Sequence, residues 1–100
     1  MLRHIIMFKL KESANKDEHL KNAEIVKEKL ENLKLHIPEI KTLEVGINVV
    51  EVTWAFDLVL TIDFENLNDF NNYKINPAHQ AFIEFNKQYS VAKTAVDYII

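Results

Sequence analysis

The order in which the hydrophobic period changes along this chain constrains its fold more than any other feature. Residues 2–11 alternate. His4, Ile6, Phe8 and Leu10 face one way, and Arg3, Ile5, Met7, Lys9 and Lys11 the other, which is the period of a strand. The step then becomes three or four. Leu20, Ala23, Val26, Leu30, Leu33 and Ile37 form the stripe of an amphipathic helix of about five turns, with Lys21, Glu24, Lys27, Glu28, Glu31 and Lys34 on its wet side. Asn15 and Glu18 have the spacing of a capping box, and Pro38 stops the helix. Alternation returns over residues 41–50. It returns again from Phe56 through Leu58, Leu60 and Ile62 to Phe64, a wholly apolar face. Leu67, Phe70 and Tyr73 mark a short helix over 66–75. Asn76 and Pro77 are a good N-cap and first residue for another, carried by Ala78, Ala81, Phe82, Phe85 and Tyr89. Residues 91–100 read as a last strand.

The resulting order, βαββαβ with the second α in two pieces, predicts an α+β ferredoxin-like sandwich. Four antiparallel strands would carry helices on one face. One hundred residues allow a single domain, over 1–100. Gly46, the only glycine, falls inside the second strand, where a bulge or sharp twist is expected. One glycine cannot build a phosphate-cradling loop.

Composition sharpens this picture. The chain is 48% hydrophobic yet has no cysteine, so neither a disulfide nor a thiolate metal site can staple it. The formal charge of −3 argues against a nucleic-acid partner. No apolar run is long enough to cross a membrane, and MLRHIIMFKLKES reads as a strand, not a signal peptide. The cytoplasm is the expected compartment.

The apolar surplus has a definite place. Helices can cover one sheet face only, so the other should be polar. Ile5 and Met7 on strand one, and Val59 and Thr61 on strand three, contradict that. Such a patch calls for a partner, and two sheets packed face to face make a dimeric barrel. The expected solution mass is twice 11.7 kDa.

Chemistry, if present, should involve two of the four histidines. His19 belongs to the charged helix and should be exposed; His36 sits at its C-terminal end, where a cation is welcome. His4 points toward the helices and needs a hydrogen-bond partner there. His79 lies in the first turn of the Asn76-Pro77 helix, about 100° off its apolar stripe, at the edge of the buried side. The helix dipole there favours a neutral ring, which can act as a general base. Tyr73 can bring a hydroxyl to the same region, to orient a substrate or hold a developing enolate. No second His or carboxylate stands one turn after His79, where Ile83 sits, so neither a metal site nor a bound cofactor is expected. A small apolar ligand could lie beneath His79, among Phe82, Phe85 and the aromatic residues of strand three.

Several segments, in order, resemble the stress-responsive A/B barrel (Dabb) family: RHIIMFKLKE at the start, HIPEIKTLEVGIN, DLVLTIDFENLNDFNNYKINPAHQAF, and the closing AVDYII. The resemblance spans nearly the whole chain and implies a dimeric α+β barrel. Some members of that family close polyketide chains with a His and Tyr pair. Carried over by position, His79 and Tyr73 match that pair, and His4 matches an early strand histidine. Asn76 departs from the pattern, standing where the family's motif has its first His; it caps the helix equally well.

Two functional classes follow. One is a binder of, or enzyme for, a carbonyl-bearing small molecule, using His79, Tyr73 and His4. The other is a non-catalytic stress-related or structural dimer. A cofactor-free or haem-degrading monooxygenase of the related barrel superfamily fits less well. Those proteins carry an Asn on the first strand and a Trp on the third, whereas this first strand has no Asn and Trp54 precedes strand three.

Overall fold

A computed structural model describes all of residues 1–100. The elements run β1 (Leu2–Leu10), α1 (Lys16–His36), β2 (Thr42–Ile47), β3 (Leu58–Phe64), α2 (Leu67–Ile75), α3 (Pro77–Asn86) and β4 (Ser90–Ile99). The four strands form one antiparallel sheet in the order β2-β3-β1-β4, with the helices on one face. This is the ferredoxin-like α+β sandwich expected from the periodicities.

The helix ends follow from their capping residues. The Asn15 side chain accepts from the Glu18 N–H at 2.9 Å, and the Glu18 carboxylate accepts from the Ala14 N–H. Asn66 caps α2 by accepting from Asp69, and Asn76 caps α3 by accepting from Ala78, with Pro77 at the first position. Ala23, Val26, Leu30, Leu33 and Ile37 bury the inner stripe of α1. Leu20 drops out of that stripe and is 49% exposed. The first turns of α1 do different work. His19, expected to be exposed, is half-buried and lies 2.9 Å from Asp57, and Asp57 also accepts from the Leu10 N–H.

The core lies between α1 and the inner faces of β1, β2 and β3, and it includes Leu58, Leu60, Ile62 and Phe64 of β3. All of β4 beyond Ser90 is exposed, because no helix lies over that edge of the sheet. A trough is left between β1 and β4 on one side and α2 and α3 on the other.

The outer sheet face carries the expected apolar residues, and β4 enlarges it. Ile5 stands opposite Val96 and Met7 opposite Thr94, while on the other flank Ile5 meets Thr61 and Met7 meets Val59. Met7, Val96 and Tyr98 are 41%, 63% and 41% exposed. At one end of this face Arg3 grips Asp63 with two bonds of 2.8 and 2.9 Å, and the Thr42 hydroxyl donates to the same carboxylate at 3.0 Å. The Arg3 guanidinium, followed by burial working the other way, sets the Asp63 carboxyl below its usual range.

Two expectations fail here. Gly46 forms no bulge: β2 and β3 stay in register through it, and its φ is not positive. Its role is steric. A Cβ at Gly46 would meet Val59 Cγ1 at 3.2 Å, so the missing side chain makes room for its cross-strand neighbour. The register shift in this sheet lies instead between Lys9 and Leu10, against β4. The second strand also ends early, at Ile47. Val49 and Val50 belong to a loop and are 89% and 64% exposed. No helix is long and apolar enough to cross a membrane.

Candidate functional site

The trough beside β4 is a cavity of about 380 Å³. That is the size of a small-molecule site. Its apolar wall includes Ile6 and Phe8 from β1 and Phe82 and Ile83 from α3. His4, Tyr73 and His79 line the same cavity.

The three rings converge. The His79 and Tyr73 ring centroids are 4.2 Å apart, and those of Tyr73 and His4 are 6.1 Å apart. Each is placed by a different element. His4 lies on the inner face of β1, Tyr73 in the last turn of α2 and His79 in the first turn of α3. The break between α2 and α3 at Asn76 is what turns Tyr73 and His79 toward each other. A single straight helix would set residues six apart about 120° from each other around its axis, too far round to face one point.

The polar atoms are poised differently. His79 Nδ1 lies 3.1 Å from the Lys74 carbonyl, an acceptor, so Nδ1 carries the proton. Nε2 is then the lone-pair nitrogen, and it makes no hydrogen bond within the chain. The ring is half-buried, and that burial lowers its pKa below the usual histidine value of 6.5. The Lys74 carbonyl opposes this shift, while repulsion from His4 and Lys93 adds to it. The neutral ring is therefore the form present at pH 7, as expected from the helix dipole, but desolvation is the larger cause.

Tyr73 is 2% exposed, and burial pushes its phenol well above the usual range. It stays protonated and can donate. No fully buried side-chain oxygen or nitrogen lacks a partner, and Tyr73 makes no hydrogen bond to the protein. Its hydroxyl oxygen is therefore not fully enclosed, and the residue lines the cavity. His4 is 8% exposed and finds the partner its position requires. Its Nδ1 bonds to Asp97, its register partner on β4. A carboxylate only accepts, so His4 Nδ1 is the donor.

Three groups at this site were not anticipated from the sequence. Asp97 sits in the AVDYII strand, and its signal was a lone carboxylate on the face that should be apolar. Asn86, 8% exposed, has its Oδ1 occupied by the Ser90 hydroxyl at 2.8 Å, which leaves its NH₂ to the cavity it lines. Lys93 lines the cavity from β4. Phe85, expected near the ligand, packs instead on Tyr89 and under Lys29. Trp54 is 79% exposed in the loop before β3, away from these residues.

Comparison with known proteins places the chain. The family model described as the stress responsive A/B barrel domain matches residues 2–100. Among solved structures, a dimeric protein of unknown function and ferredoxin-like fold from Bacteroides fragilis is 29% identical, with a TM-score of 0.84 over 99% of this chain and 95% of that one. A hydroxynitrile lyase from Passiflora edulis is 20% identical, with a TM-score of 0.81 over 99% of this chain and 92% of that one. A putative antibiotic biosynthesis monooxygenase from Nitrosomonas europaea is 13% identical, with a TM-score of 0.73 over 100% and 98%. No curated protein matches the chain. With its fold, its ordered motifs and a family match over nearly every residue, this chain belongs to the stress responsive A/B barrel domain family.

Proposed function

We propose that the cavity binds a largely apolar carbonyl compound and that His79 moves a proton at the carbon beside that carbonyl. The observation that carries this reading is the convergence of His79, Tyr73 and His4 on one cavity, with the His79 and Tyr73 rings in contact and the His79 Nε2 lone pair unpaired within the chain. In the proposed step, His79 Nε2 takes a proton from the α-carbon. The C–H electron pair moves into an enolate, and the Tyr73 hydroxyl donates to its oxygen. The proton then returns to carbon, or to another acceptor on the substrate. His4, held by Asp97, orients the substrate from the sheet side.

Two further features support a site over a purely structural role. A non-catalytic dimer would be expected to have a fully bonded His79 ring and no ligand-sized cavity, and neither description fits. The fold also occurs in a protein named as a hydroxynitrile lyase, so the scaffold accommodates enzymes.

The same proposal includes a homodimer formed through the outer sheet face, around Ile5, Met7, Val59 and Val96. Neighbours described as dimeric ferredoxin-like proteins support it, as does the apolar character of that face. Face-to-face packing leaves the cavity, on the opposite side of the sheet, open.

The test is solvent exchange at the α-carbon of butyrophenone, followed by NMR in D₂O, together with ligand-induced thermal shift. The native protein should accelerate exchange over buffer. His79→Ala should abolish the acceleration and Tyr73→Phe should reduce it. Equal exchange and equal thermal shift in native protein and both variants would overturn the assignment.

A further inference from the structure

The charge lining this cavity is one-sided. The chain as a whole carries 15 acidic against 12 basic residues. Yet Lys74, Lys87 and Lys93 line the cavity and no Asp or Glu does. Lys87 is paired with Glu84 at 2.8 Å, and the Lys74 ammonium sits 5.0 Å above the Phe70 ring. Lys93 has no carboxylate within salt-bridge distance. It stands opposite Phe8 in the β1–β4 pair, on the helix side of the sheet.

A second, independent group points the same way. Asn86 is buried, its oxygen is held by Ser90, and its amide NH₂ is left with hydrogen to donate into the cavity. A cation and a buried amide donor, with no carboxylate in the cavity lining beside them, suit an anion. Phe8, Phe82 and Ile83 form an apolar wall of the same cavity.

Register gives the scale. Lys93 pairs with Phe8 and Asp97 with His4, four residues along the strand, or about 13 Å at the usual rise. A ligand with its head at Lys93 and its body along Phe8 toward His4 has an anionic group at one end and an apolar part beyond it, with His79 within reach of the Lys93 charge. A planar carboxylate suits one ammonium and one amide NH₂. A phosphate, with more charge and more oxygens, would leave acceptors unmatched.

We propose that the cavity selects an amphiphilic monocarboxylate, its head held by Lys93 and Asn86 and its body lying on the Phe8–Phe82 wall toward His79. This deepens the carbonyl-compound reading and rests on it, since it makes the substrate class an apolar oxo-acid in place of a neutral ketone.

The test compares two ligands of nearly equal shape, 4-hexylbenzoate and 4-hexylbenzamide, by calorimetric titration of the full chain at pH 7.5. The expected result is benzoate binding at least tenfold tighter at low salt, with the gap narrowing as salt is added. Lys93→Met should close the gap between the two ligands. Lys93 is exposed, so the variant should melt with the native protein, and a thermal scan checks that. Lys93→Glu should turn the preference around. Benzamide binding as tightly as benzoate, or a gap that survives in Lys93→Met, would overturn the anion site while leaving the His79 reading intact. Binding of neither ligand would overturn both.

Discussion

His4 and Asp97 are direct cross-strand partners, 93 residues apart in sequence, and the carboxylate of one holds the imidazole Nδ1 of the other. The bond fixes the ring's orientation and leaves Nε2 as the nitrogen with a lone pair. Asp97→Asn keeps the shape but can present an amide N–H to Nδ1, which would move the ring proton to Nε2. The expected outcome is a loss of α-proton exchange on the order of tenfold, less than a positioned acid–base group itself supplies, because His4 orients the substrate. Nitrogen NMR of the His4 ring should report the change of tautomer. A structural role alone would lower the melting temperature without changing that spectrum.

His79 sets an expectation for pH. Its pKa in the folded chain lies below the usual value of 6.5, chiefly through burial. Between the folded value and 6.5 the unfolded chain binds more protons than the folded one, so stability rises with pH across that window. The contribution is fully present above 6.5 and is lost as pH falls through the folded value. His79→Gln, which cannot be charged, should flatten this part of the stability curve. Chemical denaturation between pH 5 and about 7.5 measures it. The acid limb of the exchange activity should likewise lie below pH 6.5.

The outer sheet face gives a prediction about assembly. Val96 is 63% exposed in the single chain and stands beside Ile5 at the middle of the patch. Across a two-fold axis, Val96→Asp would bring two carboxylates into an apolar contact, where neither is solvated or paired. The native protein should elute with light scattering near twice 11.7 kDa, and the variant near 11.7 kDa. A native mass of one chain at micromolar concentration would contradict the proposed dimer.

Gly46 and Val59 should behave as a coupled pair. Gly46→Ala places a methyl group 3.2 Å from Val59 Cγ1, tighter than ordinary contact. In the native background it should be neutral to destabilising. With Val59→Ala the obstacle is gone, and the lower chain entropy of alanine should make Gly46→Ala stabilising by about 0.5–1 kcal/mol. A double-mutant cycle by urea unfolding reads the coupling; strict additivity would show that the two side chains do not compete for space.

The architecture was legible because its elements announce themselves locally. Leu58, Leu60, Ile62 and Phe64 are buried on one side of β3, as their alternation requires, and Asn76-Pro77 starts a helix by the chemistry of those two residues. The three ring residues were legible for a similar reason, since each stands at a border that sequence position alone defines. Their partners were not. Asp97 meets His4 only through the pairing of the first strand with the last, a long-range register that no local period contains. Asn86 and Lys93 line one cavity because β4 lies beyond the cover of the helices, and strand order across the sheet decides that. Gly46 was misread because glycine in a strand has two uses, a bent backbone or space for a neighbour, and only the position of Val59 distinguishes them.

The pairing of β1 with β4 also bears on how the protein is made. Within this domain β1 is made before every other element, and β4 follows only after all of them. Until β4 arrives, β1 offers an unpaired edge of N–H and C=O groups beside His4, open to any passing strand. The nascent chain can assemble α1, β2 and β3 around its core, but the wall bearing Lys93 and Asp97 does not yet exist. Ligand binding should therefore be the last property acquired during synthesis, and a chain stalled before residue 90 should be well advanced in folding yet blind to ligand.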